Sequence, residues 1–177
     1  MRNLLIYITI ILLFGCTDFS DDQQDNSKVI LPQHESWNST ITLSKGGQNT
    51  AIVRSGYMAK YAANKTTYLS DTVDVDFFDK NGNATSHLKS IEAEVDEGQN
   101  NLVALKNVVV ISDSGVTLYT EKLEWNQKRE RILSDTLVTI VTEQDTLMGI
   151  GLESDANLTN WKIFEPAGVT DRNLEKK

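Results

Sequence analysis

Apolar and polar residues alternate along most of this chain with a period of two. Residues 73–77 read Val-Asp-Val-Asp-Phe, and residues 91–95 read Ile-Glu-Ala-Glu-Val. Successive side chains of a β-strand point to opposite faces, so this period predicts strands with one buried face. Val, Ile and Thr are abundant, and windows with the helical spacing i, i+3, i+4, i+7 are scarce. The pattern therefore predicts an all-β fold.

One Val-rich phrase occurs three times, at residues 72–77, 107–111 and 136–141. Each copy follows a shorter strand-like segment, and the copies lie 35 and 30 residues apart. Self-similarity at this period indicates stacked supersecondary units. Turn signals separate the strands, and Asn81-Gly82 is the strongest of them because it supplies the positive φ angles of a tight hairpin. The prediction is a stacked antiparallel strand array that is open at both ends.

The apolar parity of these strands predicts an apolar interior groove. Ordinary core packing is the simpler interpretation, and a lipid-sized slot that accepts acyl chains is the sharper one. Residues 108–111 are apolar on both parities, so the pattern leaves open which pair faces inward. The predicted lipid-binding residues of the interior face are Val73, Val75, Phe77, Ile91, Ala93, Val95, Val108, Val110, Leu123, Trp125, Val138 and Ile140.

The N-terminus predicts export and lipidation. Arg2 precedes an apolar run of 11 residues, 4–14, which is short of the ~20 that span a bilayer and suits a signal peptide. Leu13-Phe14-Gly15-Cys16 resembles the bacterial lipoprotein box, in which the cysteine is acylated. Cys16 is the only cysteine, so an internal disulfide is excluded. We expect a mature protein whose N-terminal lipid on Cys16 holds it to a membrane.

Composition divides the rest of the chain. Residues 1–15 are the predicted signal peptide, residues 16–34 a lipidated N-terminus and flexible acidic linker, residues 35–169 the β-domain, and residues 170–177 a charged tail. A second interpretation of residues 18–22 is an export signal for the outer membrane. The net charge of −8 and the pI of about 4.7 argue against nucleic acid as a partner, because phosphate binding needs clustered Lys and Arg.

Residues that could carry out chemistry are sparse. His34 and His87 are isolated in the sequence, and neither has a second His or Cys at metal-ligand spacing. Gly149-Ile150-Gly151 is not followed by a helical pattern, so it predicts a strand kink or bulge and not a dinucleotide site. We expect no catalytic residue, no metal and no cofactor, and we predict that the protein is not an enzyme.

Several motifs together resemble the LptC family, the periplasmic component of lipopolysaccharide export. They include residues 56–61 (GYMAKY), 73–82 (VDVDFFDKNG), 118–126 (LYTEKLEWN) and 149–155 (GIGLESD). The likeness covers roughly residues 35–169. No single motif is diagnostic, but their order and spacing are fairly specific.

The resemblance implies a twisted, open β-jelly-roll. Members of that family take lipopolysaccharide from an inner-membrane ABC transporter and pass it to a periplasmic β-jelly-roll bridge protein, by edge-to-edge strand contact. The strand with Trp37, Ile41 and Leu43 would meet the periplasmic domains of the transporter. The C-terminal strands would meet the downstream bridge protein through Gly149, Gly151, Trp161 and Ile163.

The anchor departs from the better-known members, which keep an uncleaved transmembrane helix. We expect a periplasmic protein held by lipid, with the inner membrane favoured because the family's task begins there, and the outer membrane left open. The alternative function is that of a structural or adhesive outer-membrane lipoprotein whose β-array binds only protein.

Overall fold

A computed structural model describes residues 31–167 of the chain. The predicted signal peptide, Cys16, most of the linker and the charged tail lie outside these residues. The described part contains no helix of the length and hydropathy needed to cross a membrane. Its strands are β1 (His34–Lys45), β2 (Gln48–Tyr61), β3 (Thr66–Phe78), β4 (Ala84–Ser90), β5 (Glu92–Asp96), β6 (Asn101–Ser112), β7 (Thr117–Asn126), β8 (Arg131–Val141), β9 (Thr146–Ser154) and β10 (Trp161–Pro166).

All ten strands form one antiparallel sheet, which confirms the all-β prediction. The strand order is β1-β2-β3-β4-β6-β7-β8-β9-β10, and β5 pairs with β3 and β6. Because β4 pairs with the same two strands, β4 and β5 act as one strand that is interrupted at Ile91. Among the described residues, β1 pairs only with β2 and β10 only with β9. The sheet is therefore an array with two free edges, consistent with a β-jelly-roll.

Most strands bend halfway along their length. The pairing register shifts between Ser55 and Tyr57, between Leu105 and Val108, and between Ser134 and Leu137. An extra residue in one strand bends it and increases its twist, so these shifts align into a fold line that we call the corner. The corner divides the sheet into layer A (residues 39–55, 73–90, 108–120 and 137–150) and layer B (residues 34–37, 57–69, 92–105, 123–134 and 152–163).

The inward side chains of the two layers form one core. A row of apolar residues crosses six strands of layer A in register, and each is 0–1% exposed: Val53, Val75, Leu88, Val110, Leu118 and Ile140. Val95, Leu102, Trp125 and Ile132 form the matching row of layer B. All of them belong to a single hydrophobic cluster, so the layers pack face to face.

Hydroxyl side chains satisfy the backbone on the inner side of the corner. Ser90 Oγ donates to the carbonyl of Glu92, and Thr120 Oγ1 to the carbonyl of Leu137, each at 2.9 Å. Ser134 Oγ donates to the carbonyl of Lys122 over the same distance. A bulge removes ladder hydrogen bonds, and a buried carbonyl left without a partner is costly. Ser90, Thr120 and Ser134, which lie next to the corner, thus stabilise the bend.

Candidate functional site

Eleven of the twelve residues predicted for the interior face are buried. They belong to the common core cluster, and their exposed fractions run from 0% to 7%. Val108 and Val110 point inward, whereas Ile111 is 50% exposed, which answers the question that the sequence left open. Side chains that line a slot wide enough for water would themselves be accessible to water. These eleven residues therefore fill the interior by packing against one another.

Ile91 is the exception, and its predicted inward orientation is wrong. The side chain is 43% exposed. Ile91 lies in the gap between β4 and β5, where the inward parity passes from Ser90 to Ala93 and two successive residues stay outside. Its amide donates to the carbonyl of Lys106, which lies at the corresponding bend of β6. At the corner the alternation of inward and outward side chains shifts by one residue, and the apolar–polar pattern alone does not reveal where this shift occurs.

A cavity of about 520 Å³ opens at the edge where the turns of the two layers meet. We call it the rim cavity. Layer A contributes the β1–β2 and β3–β4 turns, and layer B contributes the β7–β8 and β9–β10 turns. Its floor contains Phe77 and Trp125, which are also core residues and whose ring centroids lie 5.6 Å apart. The charged residues of its walls are Lys45, Asp79, Lys80, Arg129, Glu130, Arg131 and Asp155.

The carboxylates of the rim cavity are already engaged. Lys45 Nζ lies 2.6 Å from Glu130 Oε1, and this contact holds the pKa of Glu130 below its ordinary value. Hydrogen bonds from Asn83 and Asn81 lower the pKa of Asp79 in the same way. Asp155 accepts hydrogen bonds within the β9–β10 turn. The oxygens of these carboxylates are therefore committed to their own turns or to Lys45.

The N-terminal half of layer A carries an ion network on its outer face. Arg54 Nη1 lies 2.7 Å from Asp76 Oδ2 and 3.4 Å from Asp74 Oδ1. The two ring nitrogens of His87 lie 2.8 Å from Asp76 and 3.2 Å from Asp74. Hydrogen bonds from Arg54 and then from His87 lower the pKa of Asp76. His87 is therefore not isolated, contrary to the expectation from sequence, because β3–β4 pairing places it directly opposite Asp76.

This network brings together residue types that bind metals. Asp74, Asp76 and His87 offer three ligand atoms within 4.8 Å of one another. The guanidinium of Arg54 already contacts both carboxylates and neutralises one of their charges. The arrangement is that of a surface ion network, and it gives no support to a metal centre.

The C-terminal half of layer A has an apolar outer face. Ile111, Tyr119, Leu137, Met148 and Ile150 are 42–54% exposed, and we call them the outer apolar patch. Leu137 pairs directly with Ile150, and Thr139 lies between Tyr119 and Met148 in register. Sequence reasoning did not single out this surface. Its signal was present in residues 108–111 and 147–150, where apolar residues occupy both parities.

The predicted N-terminal interface lies on the edge strand β1. Trp37 is 66% exposed, and its ring lies 5.7 Å from that of Tyr57. The hydroxyl of Tyr57 donates to Glu35, which raises the pKa of Tyr57 to about 12. Ile41 is half-buried, and Leu43 is 6% exposed and belongs to the core. Leu43 can therefore meet a partner only through its backbone.

The predicted C-terminal interface is divided between two strands. Trp161 and Ile163 lie half-buried on the edge strand β10. Gly149 and Gly151 lie on β9, the neighbouring strand of the same sheet. A Cβ atom on Gly149 would lie 2.4 Å from Cγ2 of Ile163 and 2.5 Å from the carbonyl oxygen of Glu165. Gly151 has a φ of +78°, as a kinked strand requires. The two glycines thus allow β10 to pack closely.

The chain matches the model of a known protein family. Residues 4–165 match the family described as lipopolysaccharide-assembly, LptC-related. This range covers most of the chain and every described strand except the last residue of β10. No individually curated protein matches the chain.

Proposed function

Because the chain belongs to the LptC-related family of lipopolysaccharide-assembly proteins, we propose that it acts as a bridge in lipopolysaccharide transport. Proteins of this family take part in lipopolysaccharide transport, and they are periplasmic and associated with the inner membrane. In this proposal the protein accepts lipopolysaccharide from an inner-membrane ABC transporter and passes it to a downstream periplasmic β-jelly-roll protein. The observation that carries the proposal is a single sheet with two free edges and one apolar interior between them.

The two edges supply the proposed contacts. An edge strand presents unpaired N–H and C=O groups, and a partner strand can pair with them. β1 is 12 residues long and carries the exposed Trp37, so it would receive a strand of the transporter's periplasmic domain. β10 carries the exposed Phe164 and would receive a strand of the downstream protein. Strand addition at each edge would continue the same sheet from one protein to the next.

The interior would hold the acyl chains. The layer A row from Val53 to Ile140 offers apolar contact across six adjacent strands. Each methylene that leaves water contributes roughly 0.8 kcal/mol, so an acyl chain can displace contacts between the layers. Since these side chains pack together in the described structure, the layers must move apart when lipid enters. The corner is the natural axis of that movement, because the two layers remain joined there.

Photo-crosslinking in cells tests the proposed path. Probes at the inward positions Val75, Val110 and Ile140 should trap lipopolysaccharide, while probes at the outward positions Asp74 and Thr139 should not. These controls lie on the same strands, one residue from Val75 and Ile140. Resistance of each variant to trypsin would verify folding. Equal capture by both sets, or capture by neither, would refute an interior lipid path.

The two edges can be tested by the same chemistry. A probe at Trp37 should trap the transporter's periplasmic domain, and one at Phe164 should trap the downstream β-jelly-roll protein. Glu94, which is exposed on the central strand β5, serves as the control position. Capture of the same partner at both edges would contradict the proposed direction of transfer.

Lipid anchorage at Cys16 is a separate part of the proposal. Cys16→Ser should yield an unacylated precursor that retains residues 1–15, detected by palmitate labelling and mass spectrometry. Fractionation of the wild-type protein should place it with the inner membrane. Recovery in the outer membrane, without lipopolysaccharide crosslinks, would favour the structural or adhesive lipoprotein instead. Normal lipid labelling of the variant would exclude Cys16 as the acylation site.

A further inference from the structure

The rim cavity differs in charge from the rest of the molecule. The chain carries a net charge of −8, yet four cations and three carboxylates line this one cavity. Glu130 is paired with Lys45, and Asp79 and Asp155 accept hydrogen bonds within their own turns. Lys80 forms no ion pair within residues 31–167, whereas Arg129 and Arg131 lie 3.3 Å and 3.8 Å from Glu153 Oε1. The cavity thus offers Lys80 to an anion directly, and its other cations are held in partly exposed ion pairs with which an anion can compete.

The floor of the cavity is the outer boundary of the apolar interior. Phe77 is 3% exposed and Trp125 is 7% exposed, and both contact the core cluster from the cavity side. The indole Nε1 of Trp125 donates to Gln127 Oε1 at 3.0 Å, which fixes the ring over the interior. An acyl chain that entered from this cavity would first have to displace the Phe77–Trp125 pair.

Two contacts hold the layers together at the same place. The Lys45–Glu130 ion pair joins the β1–β2 turn of layer A to the β7–β8 turn of layer B. Ser86 Oγ donates to the carbonyl of Ala156 at 2.8 Å and joins β4 to the β9–β10 turn. The ion pair is about half exposed on both sides, so another anion can compete for Lys45 at little cost.

We propose that the rim cavity binds the phosphorylated headgroup of an acylated glycolipid, and that the Phe77–Trp125 pair is the gate through which its acyl chains reach the interior. The inference rests on the proposed function, because the family match supplies lipopolysaccharide as the cargo. The headgroup phosphates bind Lys80, compete with Glu153 for Arg129 and draw Lys45 away from Glu130. Loss of the Lys45–Glu130 ion pair leaves the Ser86–Ala156 hydrogen bond as the remaining one of the two contacts, so the layers separate more easily at the rim, where the acyl chains enter.

Binding of defined lipids to the purified protein tests the headgroup site. The probes are hexa-acylated lipid A with two phosphates, the same lipid without phosphates, and inorganic phosphate. Replacing both Lys80 and Arg129 by Gln should weaken binding of phosphorylated lipid A about tenfold, the effect of losing roughly 1.4 kcal/mol of charge-assisted contact. Glu130→Gln should strengthen it, because Lys45 is then free. Lys89→Gln, on the outer face of β4, is the matched control.

The fluorescence of Trp125 tests the proposed Phe77–Trp125 gate separately from the headgroup site. With Trp37 and Trp161 replaced by Phe, the emission of Trp125 should change when acylated lipid A is added, and should not change with the deacylated phosphoglycan. Binding that the Lys80/Arg129 double variant and Glu130→Gln both leave unaltered, or equal binding of the phosphorylated and dephosphorylated lipids, would overturn the headgroup site. Saturation by inorganic phosphate alone would show a free-phosphate site and also overturn it.

These outcomes are separable from the proposed function. If crosslinkers at Val75 and Ile140 trap lipopolysaccharide while the rim variants bind lipid A normally, transport stands and the rim site is wrong. If the interior crosslinks fail in cells, the transport path itself is wrong, whatever the rim binds in solution.

Discussion

The two halves of layer A share one interior but have different outer faces. In the N-terminal half, β2, β3 and β4 present Arg54, Asp74, Asp76 and His87 to solvent as an ion network. In the C-terminal half, β6, β7, β8 and β9 present the outer apolar patch. The inward rows are alike, because Val75 and Leu88 on one side continue in register to Leu118 and Ile140 on the other.

The difference shows that folding constrains the inward residues of layer A much more than its outward residues. Both halves must bury an apolar face against layer B, so their inward residues are similar. The outer faces have no such requirement, and charged residues on one half keep it soluble and block non-specific pairing. An exposed apolar surface on the other half is typical of a contact site. The patch lies on the side of the molecule that carries the proposed downstream edge.

The largest effect should come from the interior, and it should be equal in the two halves. Leu88→Ala in the N-terminal half and Leu118→Ala in the C-terminal half each remove a side chain that is 0–1% exposed. Each should lower the free energy of unfolding by about 2–5 kcal/mol through lost burial and cavity formation. Urea unfolding followed by fluorescence measures both. A cost confined to one half would show that the core is not shared.

The second-largest loss of stability is expected when a glycine beside the C-terminal edge strand is replaced, and a glycine in an ordinary turn should tolerate the same replacement. Gly149→Ala places a Cβ atom against Ile163 and Glu165, so β10 must shift, at a cost of about 1–3 kcal/mol. Gly98→Ala is the control, because its Cβ would meet only Asp96 Oδ1 at 3.2 Å. Hydrogen exchange should show lost protection of β10 in the first variant and unchanged protection in the second. Intact β10 protection in Gly149→Ala would contradict the close packing.

A smaller, pH-dependent effect should identify the N-terminal ion network. Arg54→Gln removes the main cause of the lowered pKa of Asp76. A lowered carboxyl pKa stabilises the fold above the unfolded pKa of about 3.9, and this stabilisation disappears as the pH falls through the lower folded value. The stability difference between wild type and variant should therefore be full at neutral pH and vanish in acid. A difference that persists in acid would exclude the ion network as its cause.

The smallest effect on stability is expected for the outer apolar patch. Replacing Leu137 and Ile150 by Ser should change the free energy of unfolding by only about 0.5 kcal/mol, because both side chains are half exposed. If the patch is a contact site, the same variant should lose crosslinking from Phe164 to the downstream partner. Replacing Arg54 instead should leave that crosslinking intact. If the patch variant still captured the downstream partner, the outer apolar patch would not be a contact site for it.

The sequence predicted the strands better than the bends. Strict alternation at residues 73–77 and the Asn81-Gly82 turn led to the correct strands and hairpin. Ile91 was misplaced, because the phase change at the corner depends on register across several strands and leaves no local signal. His87 was misjudged for a similar reason, since its partners Asp74 and Asp76 come from the neighbouring strand.

The rim cavity could not be predicted from the sequence, for a different reason. Its walls come from four turns that are far apart in the chain, and Lys45 and Glu130 meet across 85 positions. A single sequence shows neither which turns converge nor how two layers close over one another.

The strand order has a consequence for how the chain folds during export. Apart from the interruption at Ile91, each strand lies next to its neighbour in the sequence. Loop closure is thus short at every step, which favours fast folding for an all-β protein. A chain that emerges on the far side of a membrane with its N-terminus first can pair β1 with β2, and then add each later strand as it arrives. Besides the outer edge of β1, the same order leaves a single growing edge at each step, which limits the chance of aggregation before β10 is in place.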